Sequence, residues 1–258
     1  MGIALWRSSP SLADVVMGTI TAAATVAMAI MVKELDISLK QMKFEALIKV
    51  YDIFNFQEHK KNVDRACKYY SHELLVDCLK GNLDVTSFIR GASAEMNRVG
   101  YLTYRGFIDF DYIYDMFGGY IVYSFLCMRP LLICVRNTIE KEGPWFTRKF
   151  LLAMYKILEE MLRKRRKDYL ENILRREYNG ESLVMRQLRA YLKCVEVGRS
   201  DCKDFLPYCI EMNLEELLSG DLKSAEERII RGVLDGKCSM VDPKWLEKDL
   251  LRFVKRRR

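Results

Sequence analysis

The sequence predicts an all-α protein: an N-terminal transmembrane helix continuing into a stalk, then a helical bundle with a helical C-terminal extension. Three observations carry this expectation. Residues 15–32 form a run of 18 amino acids without a charge. Beyond it, apolar residues recur at three- and four-residue steps almost to the end of the chain, as one face of a helix requires. No convincing strand alternation and no convincing Asn-Gly hairpin appears.

At a rise of 1.5 Å per residue the uncharged run makes about 27 Å of helix, close to the roughly 30 Å hydrocarbon core of a bilayer. Leu12 and Ala13 can extend it, so the span is set at residues 12–32, behind a short tail of residues 1–11. Asp14 suits the positive end of the helix dipole. A cleaved signal peptide is a second reading, because Ala27-Met28-Ala29 resembles a small-residue cleavage site. Its basic leader is thin, with Arg7 alone, and a charged helical pattern follows directly. A buried core helix is the third. Lys33, Lys40, Lys43 and Lys49 follow the span, so the positive-inside rule predicts a single-pass cell-membrane protein, N-terminus outside and bulk of the chain cytoplasmic. Gly18 and Ala22, then Ala23 and Ala27, are small residues four apart, a spacing that lets membrane helices pack closely.

Leu35, Leu39, Met42, Ala46, Val50 and Phe54 continue at helical spacing and predict the stalk. A second pattern covers about residues 58–79 and stops at Gly81. Asn82 or Asp84 can cap a third helix ending near Arg105, before Gly106. Asp109 or Asp111 can cap a fourth, which Pro130 is expected to kink or break. It contains a second apolar stretch, residues 117–135, but Arg129 and Pro130 interrupt it, and a buried core helix is the better expectation. Gly143-Pro144 marks a boundary, and a fifth helix is expected over residues 145–178, ended by Asn179-Gly180. Residues 33–178 thus form the stalk and bundle. Residues 179–258 form a helical extension with a basic tail. There Asn213 with Glu216, and Ser224 with Glu227, have capping-box spacing. Gly220 and Gly236 read as stops, and Asp242-Pro243 opens the last helix.

Half the residues are apolar and 30% are charged, an ordinary globular balance. The net charge of +7 lies mainly in the C-terminal half, since residues 142–258 carry 26 Lys/Arg against 20 Asp/Glu. None of the eight cysteines forms C-x-x-C. Cys127 and Cys134, like Cys202 and Cys209, are seven apart, and so too far along one helix to bond to each other. Buried free thiols are expected. Glutamine is scarce, at Gln41, Gln57 and Gln187 only. Together with plentiful Lys, Arg and Glu this hints at a hot habitat, where intracellular disulfides do occur.

The order of one span, a stalk and the segments LIKVYDIFNFQEHKKNVDRACKYY, EMNRVGYLTYRGFIDFDYIYDMFGGYIVYSFLCMRPLL and PWFTRKFLLAMYKILEEMLRKR resembles the prokaryotic membrane-anchored family catalogued as domain of unknown function 4760. Gly100, Gly106, Ile108, Asp109, Tyr114, Asp115, Phe117 and Gly118 carry the likeness, which covers roughly residues 12–166. The chain departs from it by being more apolar after Gly119 and by adding about 90 residues at the end. The resemblance implies a helical cytosolic domain behind an anchor and supplies no catalytic residues.

Chemistry-bearing motifs are sparse. Asp109, Asp111 and Asp115 lack the Gly and terminal Glu of an EF-hand loop, so capping and a solvated face explain them better. His59 and His72 are the only histidines, without H-E-x-x-H or a neighbouring Cys at metal spacing, and are expected to be exposed or half-buried structural residues. Gly118-Gly119 is not a phosphate loop and reads as close helix packing or a local kink. No cofactor is expected. The sharpest charge cluster is Arg163, Lys164, Arg165, Arg166 and Lys167, expected to be solvated and partly paired with Glu159, Glu160, Asp168 and Glu171. With Lys255, Arg256, Arg257 and Arg258 it is a candidate contact for anionic lipid or nucleic acid. The functional expectation is a membrane-tethered module, leaning away from an enzyme, that meets a protein partner or another copy of itself.

Overall fold

The computed structural model describes residues 12–55, 57–68, 72–82, 86–138, 148–208, 217 and 221–256. They are mostly helical. Two compact units divide the chain at Leu47, so that Ile48–Arg258 forms one of them. The first unit contains most of helix α1 (Leu12–Asn55). Its residues 19–45 are exposed on every face, apolar ones included. The expected span and stalk are therefore one uninterrupted helix.

In the second unit, the pattern expected over residues 58–79 is two helices, α2 (Gln57–Lys68) and α3 (His72–Leu79). Helix α4 (Thr86–Tyr104) ends before Gly106, whose φ of 76° needs a residue without Cβ. Asp109 opens α5 (Phe110–Thr138) by accepting the Asp111 N–H at 3.0 Å. Phe110–Val135 has the length and hydropathy of a membrane span, but 89% of its most apolar window is buried inside the domain, the fate expected for residues 117–135.

Pro130 does not break α5. A proline leaves the carbonyl four residues earlier without its helical donor. Here that carbonyl, Leu126 O, accepts from Gln187 Nε2 at 3.1 Å. Gln187 lies on α8 (Leu183–Glu196), so the repair comes from another helix.

The fifth helix divides in two, α6 (Lys149–Arg165) and α7 (Lys167–Leu174), because Arg166 leaves helical geometry with φ −147° and ψ 58°. It also stops short of Tyr178. Asn179 (φ 55°) and Gly180 (φ 77°) make the turn of a two-residue hairpin pairing β1 (Glu177–Tyr178) with β2 (Glu181–Ser182). Both central residues adopt the positive φ that Asn-Gly supplies in hairpin turns. The pair was thus a hairpin signal rather than a helix stop. Ser182 then caps α8 by accepting the Met185 N–H. Helix α9 (Leu222–Leu234) is capped by Asp221, not by the Ser224 and Glu227 pair, and ends before Gly236. Asp242-Pro243 opens a single 3-10 turn; α10 (Lys248–Arg256) follows it. Gly143, Pro144, Asn213, Glu216 and Gly220 lie outside the described residues.

Residues beyond 178 pack into the same unit as the bundle. Arg129 is one of the residues that join them. It is fully buried on α5, and its five donors reach Met240 O, Phe205 O, Asp204 O, Leu206 O and Gln187 Oε1 at 2.8–3.1 Å. Facing it on α6, the buried Glu159 accepts from Tyr155 Oη, Ser239 Oγ and Met240 N. A guanidinium and a carboxylate thus bracket Ser239 and Met240, and every bond to Arg129 pins a C-terminal carbonyl or the proline repair. Burial lowers the Arg129 pKa to about 10 and raises that of Glu159, because taking either charge from water penalises its ionised form.

The expectation of free thiols is corrected for six cysteines. Cys67–Cys127 ties α2 to α5, Cys78–Cys134 ties α3 to α5, and Cys194–Cys202 closes the end of α8. Cys127 and Cys134 do share one face of α5. Each meets a cysteine of a neighbouring helix, which spacing along a single helix cannot reveal. Cys238 is buried, and Cys209 lies outside the described residues.

Candidate functional site

A cleft of about 430 Å³ lies between α2, α5 and α7. Its size suits a small molecule. Lys60 and Asp64, one helical turn apart, form the α2 wall; Tyr120 and Tyr123 form the α5 floor; Tyr169 and Arg176 close the far side. Gly119 makes this arrangement possible, since a Cβ there would overlap the Tyr169 ring and hydroxyl. Close helix packing was the expected use of Gly118-Gly119. Gly118 also abuts Leu158, where an added Cβ would lie 3.4 Å from a methyl carbon.

The tyrosines are held protonated. Burial raises the Tyr120 pKa to about 12, and burial also raises that of Tyr123 despite Arg176, whose guanidinium sits 4.5 Å from the ring centroid. Tyr123 Oη is 3.5 Å from Cys67 Sγ, so the α2–α5 disulfide underlies the floor. Arg186 of α8 braces the same point, donating to the Cys67 carbonyl at 2.6 Å. The cleft therefore presents neutral phenols, aromatic faces, two cations and one carboxylate on a cross-linked floor. These are groups that bind and orient.

His59 lies behind Tyr120, ring centroids 5.9 Å apart, and its Nδ1 is 2.8 Å from Glu95 Oε2. It is fully buried, where an exposed or half-buried position was expected. A signal existed, because His59, Val63, Ala66 and Cys67 fall on one buried helical face. The side chain of His72 lies outside the described residues.

Nothing matches among protein families, curated proteins or solved structures.

The basic cluster occupies the break between α6 and α7 and is exposed from Lys164 to Lys167. Several of its cations meet groups from distant segments. Arg165 pairs with Asp111 at 3.0 Å, and Arg165 and Arg166 both lie over the Tyr114 ring. Lys167 pairs with Asp235 at 3.3 Å, and Arg163 packs its guanidinium against Gly236. Glu159 serves the buried network instead, and Glu171 pairs with Arg175. Lys255 and Arg256 lie on α10, whose Phe253 stacks on Tyr104, which stacks on Phe150 at the start of α6. The two clusters thus belong to different helices, with Phe253 of α10 linked through Tyr104 to the first turn of α6 and residues 163–167 at the other end of α6. Arg257 and Arg258 lie outside the described residues. On α1, Ala22, Ala23 and Ala27 are exposed, and Gly18 lies on the same continuous helix.

Cys194, Asp201 and Cys202 bring possible metal-ligand atoms within 4.8 Å of one another. Both sulfurs are in the disulfide, and Arg199 grips both Asp201 oxygens, at 2.9 and 2.8 Å. In this form the group has neither free thiolates nor a free carboxylate to offer a cation. Of the three aspartates weighed as a cation site, Asp109 caps α5 and Asp111 holds Arg165, roles that account for both.

Proposed function

We propose that the chain is a single-span membrane protein whose helical domain works as a tethered interaction module on the cytoplasmic face. One observation carries the reading. The uncharged part of α1 contains three threonines, and each hydroxyl donates to a carbonyl of its own helix: Thr19 to Val16 O, Thr21 to Met17 O and Thr25 to Thr21 O, all at 2.8 Å. A polar group in hydrocarbon has no water to turn to and must be satisfied internally. The surface of residues 16–32 therefore offers lipid exposed apolar side chains and self-satisfied hydroxyls. Partner contact through 163–167 receives less support, because Arg163, Arg165, Arg166 and Lys167 already meet groups of the fold.

The test is flotation of the full chain with anionic and neutral vesicles, beside a chain lacking residues 1–32. The full chain should float with both kinds, and the shortened one with neither. Salt-sensitive flotation of the shortened chain on anionic vesicles would favour the basic clusters instead.

A second reading of the topology is favoured by the three disulfides. They suit an oxidising compartment, or the cytosol of an organism from a hot habitat. Protease digestion of intact cells separates the two: protection of residues 48–258 supports the cytoplasmic placement, and cleavage the opposite one.

A further inference from the structure

We propose that two copies of α1 associate in parallel along one seam, Thr21, Thr25, Met28, Val32, Leu35, Leu39, Met42 and Ala46. This rests on the membrane-anchor reading and goes beyond it by naming the partner. The seam positions alternate in steps of four and three, a 3.5-residue period held over four heptads. A 3.5-residue period differs from the 3.6 of a straight helix, and it keeps a stripe facing a second helix along its whole length.

The side chains on this line are free to be covered. Leu35, Leu39 and Met42 are 61%, 46% and 43% exposed. The six charges of the stalk, Lys33, Glu34, Asp36, Lys40, Lys43 and Glu45, all fall off the seam. Asp36 and Lys40 neutralise each other at 2.6 Å. In a parallel pair in register, Asp36 flanks the partner's Met31 and Lys43 the partner's Ser38, so no like charges face across it. The membrane argues for a second copy over an unrelated helix. Two identical anchors enter one bilayer in the same direction and at the same depth, so their seams are aligned before they touch. Ile37 and Phe44 are also exposed, at 54% and 62%, but they lie on the opposite side of the helix. They supply the control.

The experiment places a photo-crosslinking residue singly at 35, 37, 39, 42 and 44 of the full chain in its native membranes. A covalent dimer at 35, 39 and 42, at least tenfold above that at 37 and 44, is the expected result. Crosslinking strongest at 37 and 44, equal at all five, or only to proteins of other mass overturns the seam. Leu35→Glu with Leu39→Glu should cut the dimer at position 42 at least tenfold; an unchanged dimer also overturns it. Carbonate extraction of the same membranes reports separately on the anchor: a chain that washes off contradicts the anchor, whatever the crosslinks show.

Discussion

Arg129 shows how one residue can help hold the C-terminal third of the chain to the rest. Its guanidinium donates to four C-terminal carbonyls, so Arg129→Met removes those bonds and leaves carbonyls of the interior unsatisfied. Removing one partner of a buried charge network typically costs about 3–5 kcal/mol. Urea denaturation of a chain lacking residues 1–32 should show that loss. Gly100→Ala should also destabilise. An added Cβ there would lie 2.5 Å from the Phe150 carbonyl oxygen, and backbone cannot swing away. The expected loss is about 1–3 kcal/mol. Gly119→Ala should be milder, because the clashing Tyr169 is 46% exposed and can rotate outward.

His59 makes a prediction about pH. Burial lowers its pKa below the ordinary 6.5, and the Glu95 hydrogen bond only partly opposes this. The unfolded chain therefore takes up the proton more readily than the folded one. Stability is fully present above pH 6.5 and is lost as pH falls below it, by at most about 1.4 kcal/mol per pH unit. Melting temperature against pH should show the decline, and His59→Gln should flatten it.

At the scale of elements, α5 is the spine, clamped to α2 and α3 by disulfides that close loops of 60 and 56 residues. Cross-links over loops this long typically stabilise by about 2–4 kcal/mol each. Reduction should lower the denaturation midpoint accordingly. Alkylation in denaturant without reductant should leave Cys67, Cys78, Cys127, Cys134, Cys194 and Cys202 unmodified. Local signals gave this helix its start at Asp109, its buried face and the stop of its predecessor at Gly106. They misjudged Pro130, because the compensating amide of Gln187 lies 57 positions along the chain. The same limit hid the cleft. Lys60 and Asp64 are visible as a helical pair, but only the fold shows that Gly119 makes room for Tyr169. Asn179-Gly180 was different, since its hairpin preference was open to view and the flanking helical pattern overrode it. The basic cluster was legible as exposed, but Asp111, Tyr114 and Asp235, which meet Arg165 and Lys167, come from distant segments.

For the whole molecule, the all-α class and the sequence of helices followed from periodicity, while the C-terminal segment joined the bundle through contacts no period encodes. The proposed division of labour is simple: lipid covers residues 12–32, and the cross-linked domain from Ile48 onward presents its cleft and surface to a partner. Extraction of native membranes with alkaline carbonate tests this most directly. The full chain should stay in the membrane pellet, with Met1–Val32 still attached by mass spectrometry, while a chain beginning at Lys33 is released. Release of the full chain, or a mature N-terminus after Ala29, would contradict it.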